Sequence, residues 1–222
     1  MGEMVGAIAH QWRQPLNTLA MSVQFIEDDF EDGLIDEKYI KEHSIENMKL
    51  INFMSKTIDD FRNFFTVNKI KEDFKVRENL IETTDMLIGQ LENSNISLEV
   101  TDGDFLVTGF PNEFKQVILN IVNNAKDVLI EKNIENGNIT IDIQTVKDIG
   151  VITITDNAGG IPQDVIDRIF EPYFTTKEQG KGTGLGLYMS KMIIEDNMNG
   201  KVYVNNIDNG AQFILELELI NV

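Results

Sequence analysis

A seven-residue apolar repeat at the start of this chain limits what it can become. Val5, Trp12, Leu19 and Ile26 recur every seven residues, and Ile8, Leu16, Val23 and Phe30 fill the intermediate positions, so one apolar seam runs along a helix. The seam lapses in the acidic stretch EDGLIDE, where Gly33 marks a loop, and a second seam follows in Ile51, Met54, Ile58, Phe61 and Phe65. Two long amphipathic helices joined by a short loop make a hairpin, and one hairpin has too few apolar neighbours to close a core. The repeat therefore predicts a homodimer whose hairpins form a four-helix bundle, with residues 1–68 as the first domain.

From about Phe74 the pattern changes. Leu80, Ile81, Thr84, Leu87, Ile88 and Leu91 follow helical spacing, and short β-rich runs come at 96–100 and 105–109. Pro111 opens another long helix, where proline is tolerated in the first turn. NITIDIQTV and GVITITD alternate with period two and few residues between them, which predicts a strand hairpin. Helices near 162–169 and 184–198 and two closing strands, KVYVNN and AQFILELEL, complete an α+β layer domain over residues 69–222.

Charge and composition remove several classes of function. Lys+Arg 19 against Asp+Glu 37 leaves a net charge of −18, which repels phosphate backbones and anionic lipid, so no nucleic-acid partner is expected. The absence of cysteine excludes disulfides and thiolate chemistry and fits a reducing compartment, hence a cytoplasmic location. No apolar run reaches the ~18 residues of a membrane-spanning helix, and no direct membrane contact is expected of this stretch.

Four groups of residues can carry chemistry. His10 lies five positions after Val5, off the apolar seam and on the wet face of the first helix; the alternative is a plain surface histidine. Pro15, five residues on, removes a helical hydrogen bond and is expected to bend the helix. On the helix after Pro111, Gln116, Asn120, Asn124 and Asp127 share one face. Amides and a carboxylate in a row can hold a hydrated Mg²⁺ and its phosphates, though an ordinary solvated face would look the same. Asp156 ends a β-run beside Gly159 and Gly160, so its carboxylate can accept from an exocyclic amine; good turn chemistry is the alternative. Gly180, Gly182, Gly184 and Gly186 precede a helical pattern, a setting for phosphate, and the stretch Phe170 to Lys181 reads as a mobile lid or an uninvolved loop.

The order and spacing of these motifs resemble the sensor histidine kinases of two-component signalling. AHQWRQPLN looks like that family's H-box, NEFKQVILNIVNNAKD like the N-box, DNAGGI and GTGLGL like the two glycine boxes, and FEPYFTTK like the phenylalanine box. The resemblance covers nearly the whole chain and implies a dimerisation and phosphotransfer hairpin followed by an ATP-binding α/β sandwich of the Bergerat (GHKL) type. It implies that His10 is the phospho-acceptor, that Asn124 is the Mg²⁺ ligand with Asn120 in support, and that Asp156 binds the adenine amine, helped by Gly160. Gly182, Gly184, Leu185 and Gly186 would sit at the phosphates of ATP, with Lys177 reaching them from the lid. Phosphohistidine would pass to an aspartate on the receiver domain of a response regulator. Because the first helix of such hairpins continues upstream, the nine residues before His10 imply a catalytic fragment of a longer protein, whose upstream part is free to carry a membrane anchor.

Three positions depart from the family pattern. Gln11 stands where an acid commonly follows the histidine, Gln14 where kinases that are also phosphatases often carry Thr or Asn, and Ala158 replaces a glycine. Two other readings share the architecture. A GHKL ATP-driven clamp would need a glutamate where this chain has Asn120, and a pseudokinase scaffold would bind ATP without transfer. His43 and Trp12 are read as structural.

Overall fold

The computed structural model describes residues 2–64, 70–178 and 182–220, with side chains for all of these except 2–11, 14, 56 and 59–64. It divides into two compact units, Met1–Phe65 with Thr175–Thr183, and Thr66–Phe174 with Gly184–Val222.

In the first unit the two seams form helices α1 (Gly2–Glu31) and α2 (Glu37–Phe64). Asp36 starts α2 as an N-cap, its carboxylate accepting from Tyr39 N at 2.7 Å. At the other side of the turn Gly33 adopts φ 70° and donates to Phe30 O at 3.1 Å. Pro15 is buried, and α1 continues through it instead of ending. One lost donor is a small fraction of so long a ladder.

The hairpin is pinned by polar side chains. Ser22 Oγ donates to Asn47 Oδ1 at 2.8 Å and lies 3.0 Å from His43 Nε2. His43 stacks on Tyr39 with centroids 5.3 Å apart, and the Tyr39 hydroxyl donates to Asp29. That hydrogen bond holds the Tyr39 phenol above its ordinary pKa. His43 thus has the structural place expected of it. The apolar seam residues remain exposed in the single chain: Phe30 is 71% exposed and Val23 57%, with Leu16, Ile51 and Ile58 also open.

The second unit is built on a five-stranded mixed sheet. Its strands are β2 (Ile96–Val100), β4 (Gly137–Val146), β5 (Ile149–Asp156), β6 (Lys201–Ile207) and β7 (Gly210–Glu218), in the order β2-β4-β5-β7-β6. Only the β2–β4 pair is parallel. A separate two-stranded ribbon pairs β1 (Glu72–Lys75) with β3 (Leu106–Gly109). Helices α3 (Val76–Glu92), α4 (Pro111–Glu131) and α5 (Gly186–Met192) complete the unit.

The period-two pattern sets the core. Ile139, Ile141 and Ile143 of β4 and Ile152 and Ile154 of β5 are buried. Against them α4 contributes Phe114, Ile118, Ile121, Val122, Ala125 and Leu129, the apolar face expected from its spacing, together with Val117. Two expectations need correction. The helix near 162–169 is only a short 3-10 turn, Ile166–Arg168, because the chain turns over Pro162, whose carbonyl accepts from both Val165 and Ile166. The helix near 184–198 is the seven-residue α5 followed by a π-type turn, Ile193–Asn197.

Candidate functional site

Asp156 occupies the last position of β5 in the alternation that buries Ile152 and Ile154, so a carboxylate stands where the pattern calls for a core residue. It is 8% exposed. A buried carboxylate needs hydrogen-bond donors, and Asp156 Oδ1 accepts from Ala158 N at 2.8 Å and Ala211 N at 3.2 Å. One oxygen is thereby saturated and oriented by backbone, and the group becomes a fixed acceptor suited to an amine donor.

The loop after Asp156 is held on every side by side chains that bond its backbone or its flanks. Asn157 Oδ1 accepts from Asn138 N at 2.8 Å and Asn157 Nδ2 donates to Asn136 O at 2.8 Å. Asn206 pairs with both backbone groups of Ile161, at 2.8 Å to the N–H and 2.7 Å to the carbonyl. Lys132 Nζ donates to Ala158 O at 2.6 Å. Gly160 has φ 75°, and a Cβ there would fall 2.8 Å from Asn206 Oδ1. Glycine is favoured there by its left-handed backbone, and a side chain would in addition strike Asn206.

The second part of the site lies where α4 meets α5. Asn120 Nδ2 donates to Gly186 O at 3.1 Å and to Ser190 Oγ at 3.3 Å, while its Oδ1 accepts from Gln116 Nε2 at 3.1 Å. Both ends of this amide are engaged with protein, so Asn120 bridges the start of α5 to the middle of α4. Asn124 follows one turn later on the same face, half-buried. Leu185, 1% exposed, anchors the residue before α5, and its carbonyl accepts from Met189 N. Gly184 has φ 64° and accepts from Tyr173 N at 2.9 Å. A Cβ on it would fall 2.4 Å from the carbonyl carbon of Tyr173, so close backbone approach requires glycine there. Gly186 is different, since a Cβ would meet Asn120 at 3.6 Å, an ordinary contact.

One rail, α4, thus carries both parts: Asn120 at the α5 end, and Lys132, its C-cap, at the Asp156 end. They are twelve positions apart, about 18 Å along the axis, so the site is elongated along the helix. Lys177 and Gly182 belong to the first unit, where a Cβ on Gly182 would lie 3.2 Å from Lys177 Cβ. His10, Gln11 and Gln14 lie on α1 with side chains outside the described residues, as are residues 179–181 of the expected lid. A groove of about 670 Å³ along β6, lined in part by Ile166, Lys191 and Phe170, the first residue of the expected lid, contains none of the residues assigned to the nucleotide or the metal. Sequence reasoning missed Lys132, Asn157 and Asn206; no periodicity marks them, because each acts through a contact distant in the chain.

For a metal, the described residues contain no cluster of three or more acidic or histidine side chains. Of the α4 face read for a metal, Asn120 is taken up by Gly186 and Ser190, and Asn124 and Asp127 are half-buried with contacts of their own. A hard cation held by one protein oxygen and otherwise by phosphates and water is compatible with that face.

Comparison with known proteins agrees with this architecture. The family described as histidine kinase-, DNA gyrase B-, and HSP90-like ATPase matches residues 109–221. The two-component sensor PprA of Pseudomonas aeruginosa is 30% identical over 226 residues, which cover 99% of this chain and 24% of that protein. Sporulation kinase E of Bacillus subtilis is 30% identical over 210 residues, covering 93% of this chain and 27% of that protein. The chain thus spans about a quarter of the length of these curated relatives. Among solved structures, the nucleotide-free catalytic domain of the histidine kinase ThkA is similar with a TM-score of 0.59 and 33% identity, over 68% of this chain and 96% of that one. ThkA in complex with the response regulator TrrA is similar with a TM-score of 0.68 and 26% identity, over 99% of this chain and 62% of that one.

Proposed function

Because the chain belongs to the histidine kinase-, DNA gyrase B- and HSP90-like ATPases and carries a histidine kinase catalytic domain, we propose that it phosphorylates its own His10 from ATP. The phosphoryl group then passes to an aspartate on the receiver domain of a response regulator. The observation that carries this reading is the Asp156 carboxylate, buried at a strand end with one oxygen saturated by the amides of Ala158 and Ala211. Such an acceptor selects a ligand that donates, as the exocyclic amine of adenine does.

The roles follow the elements. Residues 69–222 bind the nucleotide: Asp156 and the loop through Gly160 take the base, and Gly182, Gly184, Leu185 and Gly186 lie at the phosphates with Lys177. Asn124 supplies an amide oxygen to Mg²⁺, which neutralises charge on the transferring group. Asn120 acts one step back, holding α5 against α4. Residues 1–68 supply the acceptor and the dimer contact. Phosphoryl transfer asks mostly for positioning: a lone pair on the imidazole forms the N–P bond, the bond to the leaving ADP oxygen breaks, and the ring proton departs from the other nitrogen.

Two further features support the reading. ThkA forms a complex with a response regulator, and a receiver domain is the partner we assign here. No helix among the described residues is long and apolar enough to cross a membrane, which is compatible with the cytoplasmic site we propose. An ATP-driven clamp is the less favoured reading, since Asn120 is an amide committed to Gly186 and Ser190 and cannot act as a base toward water.

The test is phosphate mapping after incubation with ATP and Mg²⁺. Wild type should acquire an acid-labile, base-stable phosphoryl group; His10→Gln should acquire none while still binding nucleotide. Label persisting in His10→Gln would move the acceptor to His43, the one other histidine, and label in neither protein would leave a scaffold.

A further inference from the structure

Lys132 is exposed, lies outside every motif, and makes a short charge-assisted hydrogen bond to the loop that carries Asp156. Its backbone is firmly placed. It is the C-cap of α4, followed by Asn133 at φ 52°, and Ile134 N donates back to Leu129 O at 3.0 Å. From that backbone the side chain reaches the loop, and Nζ lies 2.6 Å from Ala158 O.

That carbonyl belongs to the peptide joining Ala158 to Gly159. The opposite edge of the same peptide, Gly159 N–H, donates to Asn209 O at 2.8 Å. A trans peptide points its carbonyl and its N–H in opposite directions, so Lys132 and Asn209 clamp one plane from two sides. Asn209 lies in the turn between β6 and β7, and that turn returns to Asp156: Ala211 N donates to Asp156 Oδ1 at 3.2 Å. A Cβ on Gly210 would fall 1.6 Å from Asp156 O, so the turn also packs directly on the strand end. The chain of contacts closes on itself, from Lys132 through the peptide and the turn to the carboxylate.

We propose that Lys132 is a positioning residue for recognition of the nucleotide base. Its ammonium holds the Ala158–Gly159 peptide in the orientation that keeps the β6–β7 turn docked and the Asp156 carboxylate aimed. Without it that peptide, which leads into two consecutive glycines at φ 81° and 75°, keeps only the Gly159–Asn209 bond and reorients more readily. The Gly159–Asn209 bond then opens more often, and the hold of the β6–β7 turn on Asp156 loosens. This inference rests on the nucleotide reading for the meaning of Asp156, and the clamp itself does not.

The experiment compares Lys132→Met and Lys132→Arg with wild type on the full chain, using ATP and adenosine as probes. Lys132→Met should weaken both ligands by the same factor, about fivefold for a charge-assisted bond at an exposed lysine. KM for ATP should rise with kcat unchanged, because the phosphate end is untouched. Lys132→Arg should stay within about twofold of wild type, since a guanidinium can also donate to the carbonyl. Without nucleotide, hydrogen exchange at the Gly159 amide should accelerate in Lys132→Met and not in Lys132→Arg. A loss for ATP with adenosine spared would overturn the proposal and make Lys132 a phosphate contact. Unchanged Gly159 exchange in Lys132→Met would also overturn it. Wild type that binds neither ligand would overturn the nucleotide reading instead, while the exchange measurement would still report on the clamp.

Discussion

At the scale of single residues, Asp156 and Asn124 are separated by what surrounds them. Asp156 sits on the inward face of β5 with Oδ1 taken by two backbone donors, so Asp156→Asn can keep those bonds through its own carbonyl and should fold. Its NH₂ group then faces the ligand amine, donor against donor. Nucleotide affinity should fall about tenfold or more, equally with and without Mg²⁺. On the proposed role of Asn124 as the Mg²⁺ ligand, Asn124→Ala should weaken binding only when Mg²⁺ is present. Titration with a fluorescent nucleotide under both conditions separates the two, and equal metal dependence would show the roles to be misassigned. The candidacy of Asp156 was legible in DNAGG, but the reason for Gly160 was not. Asn206, 46 positions later, is what a side chain at 160 would strike, and no local pattern announces a contact so remote.

Among the elements, the link between the phenylalanine-rich segment and α5 is tighter than either stretch suggests alone. Tyr173 holds φ 67° and donates to Gly184 O, and the backbone of Tyr173 occupies the space where a Cβ on Gly184 would go. Arg168 stacks over the Phe174 ring at 4.5 Å, and Phe170 meets Phe213 edge-on at 6.4 Å, so the approach to this junction is anchored as well. Gly184→Ala should lower unfolding free energy by about 1–2 kcal/mol from its left-handed backbone alone, with the displaced Tyr173 adding to that. Denaturant unfolding checks it, and a neutral result would mean the Tyr173 contact relaxes at no cost. Periodicity makes α4 and the β4–β5 hairpin plain, because their buried faces are long enough to repeat. It overstates α5 and misses β1: four residues become a strand only because β3 lies alongside, and the run after Gly186 leaves α-helical geometry at Ile193.

For the whole molecule, the exposed seam of the hairpin is the feature with the largest consequence. Leu16, Val23, Ile26 and Phe30 on α1, and Ile51 and Ile58 on α2, are open in one chain, and so large an apolar surface calls for a partner. A second hairpin is the partner whose seams match, so the protein should be a homodimer by light scattering at micromolar concentration. Phe30→Asp with Val23→Asp should shift it to monomer while leaving nucleotide affinity unchanged, and a monomeric wild type would contradict the bundle. Features that repeat or cluster along the chain are written in neighbouring residues: the two seams, the amphipathic α4, the alternating strands, and the order of motifs that marks the family. Folding in three dimensions was needed to set the strand order β2-β4-β5-β7-β6, the commitment of Asn120 to α5, and the ring of bonds around Asp156 that runs through Lys132. Those depend on pairings between residues tens of positions apart, and the energy of such a contact is set by where the fold brings the two groups, which neither residue's neighbours encode.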